Sequence, residues 1–226
     1  MSVALVLPVP LPVSAPGCGS GAGGLLEERT RIMDEEAREA GEVMARYCAG
    51  DRAAFDRLYA LLAPRILGYL TGLLGDRAAA EDALQATFLK VHEARGSYVV
   101  GANPIPWIYT IAHRTSIDEL RKRKRARVRL TRDGALPAEP AAHLTGVPVE
   151  AHADAAARPD PAAAAGALAA LDRLPENQRQ ALILTKVHGR STAEAAMITG
   201  STPGAIKQRA HRAYLTLRQR LGRTGT

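Results

Sequence analysis

The sequence predicts an all-α protein in which a flexible linker joins two small helical bundles. Over most of the chain, apolar residues recur at spacings of three and four, the period of an amphipathic helix, and no segment alternates like a strand. Residues 133–165 instead contain five prolines among alanines and acidic residues, a composition typical of linkers. A length of 226 residues accommodates one large domain or two small ones. The predicted organisation is a disordered tail over 1–30, a first domain over 31–132, the linker over 133–165 and a second domain over 166–226.

Positive charge is concentrated in two parts of the chain. The net charge is +7, but residues 112–132 contain nine basic and two acidic side chains, and residues 166–226 contain ten basic and three acidic ones. The linker between them has five acidic residues and one basic residue. This distribution indicates a polyanionic partner that both domains contact, and it favours nucleic acid.

Composition argues against membrane, metal and secreted disulfide-rich proteins. No run of about 18 apolar residues is present, so we expect no membrane-spanning helix. Cys18 and Cys48 are too few for a disulfide framework, and no Cys or His cluster has the spacing of a zinc site. We therefore expect a cytoplasmic protein with no metal, no cofactor and no small-molecule substrate.

The apolar start of the chain does not have the pattern of a secretory signal. No Lys or Arg precedes Arg29, and Pro8, Pro10 and Pro12 would break the helix that a signal requires. We interpret residues 1–24 as a disordered tail or as an artefact of start-codon choice.

The first bundle is predicted to begin with a helix from Leu25 to about Ala49. Asp51 is suited to cap the next helix, because its carboxylate can accept hydrogen bonds from the first free amides. Pro64 should kink that helix or begin a new one, and Gly75 should end it.

A third helix follows Asp76 and buries Leu84 and Phe88. Residues 96–106 are predicted to form a loop from their Gly, Asn and Pro content, with Pro106 in the first turn of the next helix. Trp107 lies on the apolar side of that helix, so we interpret it as a core residue rather than as a base-stacking platform. The helix ends in the basic run RKRKRARVR.

The second bundle is predicted to contain short helices over 167–174 and 180–187, the latter ended by Gly189, and a pair over 192–199 and 203–221. Gly200 supplies a tight turn between the last two, and Ser201 or Thr202 caps the longer one. The positions predicted to face inward from that longer helix are Ile206, Ala210, Ala213, Tyr214 and Leu217.

Polar side chains remain on the outer face of the longer helix, near its N-terminal half. A helix pair of this kind is typical of a helix-turn-helix, whose second helix enters the major groove and reads base edges with Arg, Lys and Gln. The alternative is a solvated basic face on an ordinary helical hairpin. The candidate duplex-binding residues are Thr202, Gly204, Lys207, Gln208, Arg209, His211 and Arg212.

A second candidate DNA surface combines the 96–106 loop with the basic end of the helix that follows it. Stacking platforms beside a cationic track are what single-stranded DNA requires. The alternative is a flexible basic tail, but this run continues a strongly patterned helix. The candidate residues are Tyr98, Asn103, Arg114, Arg121, Lys122, Arg123, Lys124 and Arg125.

Taken together, these segments resemble bacterial sigma factors of the extracytoplasmic-function class of the sigma-70 family. The resemblance covers about residues 35–125 and 166–222. Three segments carry it: DRAAAEDALQATFLKVHEA, then PWIYTIAHRTSIDELRKRKR, then LPENQRQALILTKVHGRSTAEAAMITGSTPGAIKQRAHRAYLTLRQRL.

The resemblance implies a factor that binds core RNA polymerase, recognises the −35 and −10 promoter elements and promotes DNA opening. It also implies that an anti-sigma factor is a partner, besides core polymerase and promoter DNA, and that the protein joins the nucleoid when bound to polymerase. Asp82, Gln85 and Phe88 match the polymerase-contacting helix of the family, although Phe88 is equally placed for the core. Asp118 is expected to order neighbouring arginines.

Several positions depart from the family pattern, so the promoter sequence is not predicted. The loop that captures a flipped base in the family contains Val99 and Val100 here, Arg114 stands where the family often has Asn, and Gln208 stands where it usually has Ser.

Two other functions are compatible with parts of the sequence. The first is a stand-alone helix-turn-helix regulator that binds duplex DNA without polymerase, which predicts a dimerisation surface or a ligand domain. The second is a nucleotide- or RNA-processing enzyme, for which the acidic residues within 34–42 are the candidate cluster. On a first helix these acids are most simply a solvated face, so we expect a protein without catalytic residues.

Overall fold

The computed structural model of the chain describes residues 23–132, 170–171 and 173–221. Within these ranges every regular element is helical, which confirms the predicted all-α fold. The elements are α1 (Gly23–Cys48), α2 (Arg52–Leu74), α3 (Arg77–Ala94), a 3₁₀ turn (Arg95–Ser97), α4 (Pro104–Arg132), α5 (Glu176–Leu182), a π-helical turn (Ile183–Val187), α6 (Thr192–Thr199) and α7 (Pro203–Leu221).

The boundaries differ from the predicted ones at several places. Residues 23–30 of the predicted tail belong to α1, while residues 1–22 and the predicted linker lie outside the described residues. Of the predicted helix over 167–174, Ala170 and Leu171 are helical and residues 173–174 form a turn and a bend. The predicted loop over 96–106 is shorter than expected, because a 3₁₀ turn opens it and α4 already begins at Pro104.

Caps explain most of the helix ends in the first half of the chain. The Asp51 carboxylate accepts hydrogen bonds from the amides of Ala53 and Ala54 at 3.0 and 3.4 Å, as predicted. Gly75 ends α2 with a φ of 66°, and Asp76 then caps α3. These caps fix where α2 and α3 reverse direction and pack side by side.

The prediction of a new helix start at Pro64 is wrong. Helix α2 runs through Pro64 without a break. Proline lacks the amide that would bond to the carbonyl of Ala60, but both residues lie on the exposed side of the helix, where water can satisfy that carbonyl. The buried side of α2, which includes Leu62, Ile66 and Leu70, is undisturbed.

Two caps define the helix-turn-helix of the second half. The Ser191 hydroxyl and the Glu194 carboxylate bond to each other's backbone amides at 3.1 and 2.8 Å and fix the start of α6. Gly200 has a φ of 64° in the turn, and the Thr202 hydroxyl accepts a hydrogen bond from the Ala205 amide at 3.2 Å. The predicted turn and the predicted cap at Thr202 are confirmed.

One predicted inward residue of α7 is exposed. Ile206 and Ala213 are fully buried, but 55% of Tyr214 is accessible, so its predicted inward orientation is wrong. Successive residues on a helix point about 100° apart. Because α5 and α6 cover α7 from one side, the residue after Ala213 falls outside that contact.

The described residues from Ala37 onward form one compact unit, and the part of α1 up to Glu36 belongs to another. Within the larger unit, helices α1 to α4 make up the first module (residues 37–132). Helices α5 to α7 make up the second module (residues 173–221). The larger hydrophobic cluster runs through both modules, since Leu70 and Ile108 of the first belong to the same buried cluster as Leu184 and Ile198 of the second. A smaller cluster, of Leu174, Leu182 and Ala213, lies within the second module.

Candidate nucleic-acid interface

The N-terminal half of α7 presents a polar surface to solvent. Four predicted residues are exposed here: Lys207, Gln208, His211 and Arg212. Ile206, one position before Lys207, is fully buried and anchors the helix. The exposed groups are hydrogen-bond donors, and Gln208 is also an acceptor, which suits the edges of bases in a major groove.

Two of the predicted duplex-binding residues help to hold the turn instead of projecting freely. The Thr202 hydroxyl accepts the hydrogen bond that caps the start of α7. The Arg209 guanidinium donates to the Ser201 hydroxyl at 2.8 Å and is partly buried. Gly204 is exposed, and a Cβ built there would meet no heavy atom within 4 Å, so nothing in the described fold requires glycine at this position.

An open depression of about 530 Å³ flanks the exposed side of α7. Lys186 and Thr192 line it together with Lys207 and His211. Sequence patterns did not single out Lys186 or Thr192, because they lie on other elements and only the fold brings them beside α7. A lysine and a hydroxyl at the rim of a recognition helix are suited to phosphate oxygens.

The basic end of α4 forms the second candidate surface. Here acidic neighbours hold several cations: Arg121 lies 3.8 Å from Asp118, and Lys122 lies 3.5 Å from Glu119. The predicted ordering role of Asp118 agrees with the first of these pairs. Lys124 and Arg125 are exposed, and Arg125 also donates to the backbone carbonyl of Arg121 at 3.3 Å.

Arg123 differs from the other cations of this run. Its guanidinium lies 3.2 Å from Asp76 and 3.4 Å from Glu119, and it donates to the Leu74 carbonyl at 3.4 Å. These contacts join the basic end of α4 to the α2–α3 connection. In the free chain the donors of Arg123 are therefore used within the fold, and its contact with DNA stays a prediction.

The loop before α4 also departs from the prediction. Tyr98 is buried with 8% exposure, its ring packs on Trp107 at 5.4 Å, and its hydroxyl donates to the Ala102 carbonyl. Burial raises the pKa of Tyr98 to about 12. Tyr98 as an open base-stacking platform is therefore wrong, since its ring supports the loop from beneath.

Other side chains occupy the outside of that loop. Val99 and Val100 are 73% and 61% exposed and form its tip. Asn103 is exposed, but its side-chain oxygen accepts a hydrogen bond from the Ile105 amide at 2.9 Å and caps α4. Trp107 is partly buried against the core, which agrees with its interpretation as a core residue. The accessible part of the loop is therefore aliphatic rather than aromatic.

Arg114 is exposed one position after a buried histidine. His113 accepts or donates a hydrogen bond with the Tyr69 hydroxyl at 2.9 Å. Burial, with a smaller contribution from Arg114, lowers the pKa of His113 to about 4. Neutral His113 therefore fixes this part of α4 against α2, and Arg114 is left to face solvent.

Helix α3 presents a separate exposed surface. Asp82 and Gln85 are exposed, as predicted for residues that contact a partner. Phe88 is 3% exposed and packs on Tyr59 at 4.7 Å, so it belongs to the core, which was the alternative role predicted for it. Leu89, which is 60% exposed, lies one turn beyond Gln85 and supplies the apolar part of this surface.

The described ranges contain no candidate metal centre. No group of three or more His, Cys, Asp or Glu side chains in those ranges could hold a metal ion. Two of the acids of α1 form ion pairs: Glu39 lies 2.5 Å from Arg57, and Glu42 lies 2.5 Å from Arg38. None of the described helices has the length and apolar character of a transmembrane segment.

Each of the two modules matches the model of a known protein family. The family model described as Sigma-70 region 2 matches residues 58–126, and the one described as Sigma-70, region 4 matches residues 166–217. The first match spans α2 to the basic end of α4, and the second includes α5 to most of α7.

Similar whole proteins belong to the same class. The RNA polymerase sigma factor CarQ of Myxococcus xanthus is 38% identical over 179 residues, which cover 79% of this chain and 95% of CarQ. The ECF RNA polymerase sigma factor SigM of Mycobacterium tuberculosis is 33% identical over 192 residues, which cover 84% of this chain and 88% of SigM. Among solved structures, this chain is similar to the sigma factor RpoE of Bartonella quintana, which was solved in complex with the anti-sigma factor NepR. The two structures superimpose with a TM-score of 0.60 and share 27% sequence identity. The match covers 74% of this chain and 96% of RpoE.

Proposed function

The chain belongs to the extracytoplasmic-function class of the sigma-70 family and is a promoter-recognising sigma factor, and we propose that its two modules read different parts of the promoter. The second module reads the −35 element as duplex, and the first module reads and opens the −10 element. The observation that carries this proposal is the presence of two exposed cationic surfaces, one on each module.

Reading of the −35 element is assigned to α7. Lys207, Gln208, His211 and Arg212 reach base edges, while Lys186 and Thr192 at the rim contact phosphates. Thr202 and Gly204 lie at the N-terminal end of α7, which accepts a phosphate close to the backbone amides. Arg209 acts indirectly, by holding the turn through Ser201.

Opening of the −10 element is assigned to the 97–103 loop and to α4. Arg114, Lys124 and Arg125 follow the phosphates of the separated strand, and the exposed aliphatic tip of the loop covers an unstacked base. Extruding a base costs a few kcal/mol at most. Phosphate neutralisation and contacts with polymerase offset that cost.

Binding to core polymerase is assigned to Asp82, Gln85 and Leu89 on α3. This surface combines a carboxylate, an amide and an exposed leucine side chain. In the sequence it is separate from both segments that are assigned to DNA. A factor held in this way leaves both segments accessible to the promoter.

An anti-sigma factor is proposed as a further partner, because RpoE of Bartonella quintana was solved with one. Purified anti-sigma factor should compete with core polymerase for this chain. A candidate that binds the chain without displacing polymerase would contradict the assignment. We also propose that the protein acts in the cytoplasm, joins the nucleoid with polymerase and carries no enzymatic activity, as sigma factors are non-enzymatic initiation factors.

Reconstituted transcription tests the proposal. Purified core polymerase should transcribe a promoter library only when the chain is added, and the selected promoters should share one element near −35 and one near −10. Without polymerase, the chain should bind the same duplexes weakly. Tight and specific duplex binding by the free chain, together with failure to bind core polymerase, would instead support a stand-alone regulator, which the region 2 match does not favour.

A further inference from the structure

Helix α1 approaches both ends of the loop to which opening of the −10 element is assigned. A Cβ built at Gly41 would lie 4.0 Å from the carbonyl oxygen of Ala102, near the end of the 97–103 loop. Farther along α1, the Cys48 thiol donates to the carbonyl of Arg95 at 3.6 Å, where the chain leaves α3 for the loop. The region 2 model matches only residues 58–126, so this support comes from outside the matched segment.

The tip of the loop depends on two anchors for its orientation. Val99 and Val100 at the tip are 73% and 61% exposed and have little packing of their own. On the side of α4 the loop is anchored by Tyr98, whose ring packs on Trp107 at 5.4 Å. The second anchor is Arg95, on the side of α1 and α3. A loop held at one point could rotate about it, whereas two anchors fix the direction in which the tip points.

Four residues form the second anchor, and we call them the Arg95 cluster: Tyr47, Cys48, His92 and Arg95. The Arg95 guanidinium donates to the His92 carbonyl at 2.9 Å, faces the His92 Nε2 at 3.2 Å and lies 5.9 Å from the centroid of the Tyr47 ring. The His92 Nδ1 is hydrogen-bonded to the Tyr47 hydroxyl. Because arginine can only donate, Nε2 is the acceptor of the neutral ring and Nδ1 carries the proton toward the Tyr47 oxygen. The cluster thus joins α1, α3 and the 3₁₀ turn.

Both ends of Arg95 act on the same turn. While its guanidinium is held by His92 and Tyr47, its carbonyl accepts the Cys48 thiol and also the Tyr98 amide, at 3.2 Å. That last bond closes the 3₁₀ turn and sets the direction in which Tyr98 enters the loop. The position of Arg95 is therefore transmitted directly to the residues that precede the tip.

The contacts of Arg95 are local and lie at the surface. Its side chain is exposed, and no carboxylate of a described residue pairs with it. Exposed contacts of this kind contribute little to global stability. Arg95 is therefore better placed to fix the geometry of the turn than to hold the module together.

We propose that Arg95 is a positioning residue for opening of the −10 element, which through Tyr47, Cys48 and His92 holds the 97–103 loop in the orientation that receives an unstacked base. This inference rests on the proposed function of the loop. Arg95 itself touches no base. A loop that is already oriented loses less conformational freedom when the base arrives, so the base is captured more readily.

Promoter opening by the complex of core polymerase with variant chains tests the proposal. The adenine analogue 2-aminopurine, placed in the −10 element of a promoter that the wild-type chain transcribes, reports unstacking by its fluorescence. At saturating complex, Arg95→Ala should slow the fluorescence rise about fivefold or more, because the loop must then be ordered during opening. Tyr47→Phe keeps the ring but removes the oxygen bonded to His92, and should slow opening by a smaller factor. The matched control is Arg77→Ala, an exposed arginine of α3 paired with Glu81, which should open the promoter at the wild-type rate.

Arg95→Lys distinguishes positioning from a direct contact with a phosphate. Lysine keeps the charge but lacks the planar fork that meets the His92 carbonyl and ring together, so it should open the promoter nearly as slowly as Arg95→Ala. The salt dependence of −10 strand binding should be unchanged in both variants. A wild-type rate for Arg95→Lys, together with a salt slope for Arg95→Ala that is smaller by about 0.7, would mean that Arg95 binds a phosphate and would overturn the proposal.

Base preference provides a signature that a general loss of stability would not produce. On a promoter whose −10 element is held open by mismatches, the complex with the wild-type chain should favour one base at the captured position. Arg95→Ala should reduce that preference about threefold or more, while its Tm stays within about 2 °C of wild type and its affinity for core polymerase is unchanged. Equal base preference in the two chains would contradict the positioning role.

Failure of the loop assignment differs from failure of the positioning role. If the wild-type complex gives no fluorescence rise anywhere in the −10 element of a transcribed promoter, the proposed function of the loop fails, and the role of Arg95 fails with it. If the wild type opens the promoter and Arg95→Ala opens it equally fast, only the role of Arg95 is wrong. If circular dichroism shows that Arg95→Ala does not fold, Tyr47→Phe decides: slower opening supports the proposal, and a wild-type rate overturns it.

Discussion

The two cationic surfaces are built in opposite ways. At the end of α4, acidic side chains lie beside the cations, with Arg121 near Asp118 and Lys122 near Glu119. On α7, Lys207 and Arg212 are exposed, and no ion pair with a described residue holds either of them. A surface that follows the backbone of a strand can use cations whose positions are fixed in advance. A surface that reads base edges needs donors that are free to adjust.

The difference shows that the number of cations in a segment is a poor measure of its DNA contacts. The two basic segments look equally charged in the sequence, but Arg123 is used to join α4 to the α2–α3 connection. The α4 end is thus partly a structural joint, and α7 is the more open binding surface.

The largest expected effect lies on α7. Lys207→Ala with Arg212→Ala should reduce initiation at a promoter with both elements by about 5- to 150-fold per residue, because each side chain carries about 1 to 3 kcal/mol of base discrimination. Arg218→Ala, farther along the same exposed helix, is the control and should have a small effect. Transcription rates at saturating core polymerase measure the loss.

The same double variant separates base reading from general charge. On a promoter whose −35 element has been scrambled, wild type and variant should initiate at nearly equal rates. If the variant initiated more slowly than wild type on the scrambled promoter too, α7 would act only through its positive charge. It would then not differ from the basic end of α4 in the way described above.

A second comparison is between a histidine inside one module and a histidine at the contact between the two modules. His113 lies inside the first module and His188 lies between the modules, and each is bonded to a tyrosine hydroxyl at 2.9 or 3.1 Å. Burial, helped by nearby arginines, lowers the pKa of each to about 4. An unfolded histidine has a pKa near 6.5. Between these values the unfolded chain binds protons that the folded chain does not.

Stability should therefore be level above pH 7 and should fall as the pH drops from about 6.5 towards 4, by about 3 kcal/mol for each histidine. Denaturant titrations over this range measure the loss. His113→Asn should flatten the profile by about half, since His188 remains. If His113→Asn leaves the pH profile unchanged, His113 is not held neutral by the fold.

Local patterns predicted most of the helices and the outward face of α7, whereas tertiary contacts determined the rest. Asp51 caps the helix that follows it through its carboxylate, and Gly75 and Gly200 turn their own backbone. All three act within a few residues, so their roles could be inferred from the neighbouring sequence. The tolerance of Pro64 depends on which side of α2 faces water. The burial of Tyr98 depends on Trp107, and the fixation of Arg123 depends on Asp76, 47 positions earlier.

The contact between the two modules could not be predicted from periodicity for a related reason. Gly72 and His188 look like a weak helix position and a polar residue before a turn, and neither pattern identifies its partner. Only the packing of α2 and α4 against the second module gives them a common role.

Arg123 and Lys124 provide a smaller test of the same contrast. Arg123→Ala should lower the free energy of unfolding by about 1 kcal/mol, or about 2 to 4 °C in Tm, because it removes a partly exposed ion-pair network and a bond to the Leu74 carbonyl. Lys124→Ala should change stability by less than about 0.5 kcal/mol, as expected for an exposed side chain. Thermal unfolding of the two variants in parallel measures the difference. Equal Tm values would mean that Arg123 is no more fixed than its neighbour.

The smallest effect is expected in the salt dependence of single-strand binding. Each phosphate neutralised on a single strand contributes about −0.7 to the slope of log K against log salt concentration. Lys124→Ala with Arg125→Ala should therefore reduce the slope for a −10 strand by up to about 1.4, measured with the complete polymerase complex. Arg123→Ala should leave the slope unchanged, because its guanidinium already faces Asp76 and Glu119 and neutralises no phosphate. If Arg123→Ala lowers the slope as much as a change at Lys124 does, Arg123 must leave its acidic partners when DNA binds, and the basic end of α4 would then resemble α7 in having cations free to move.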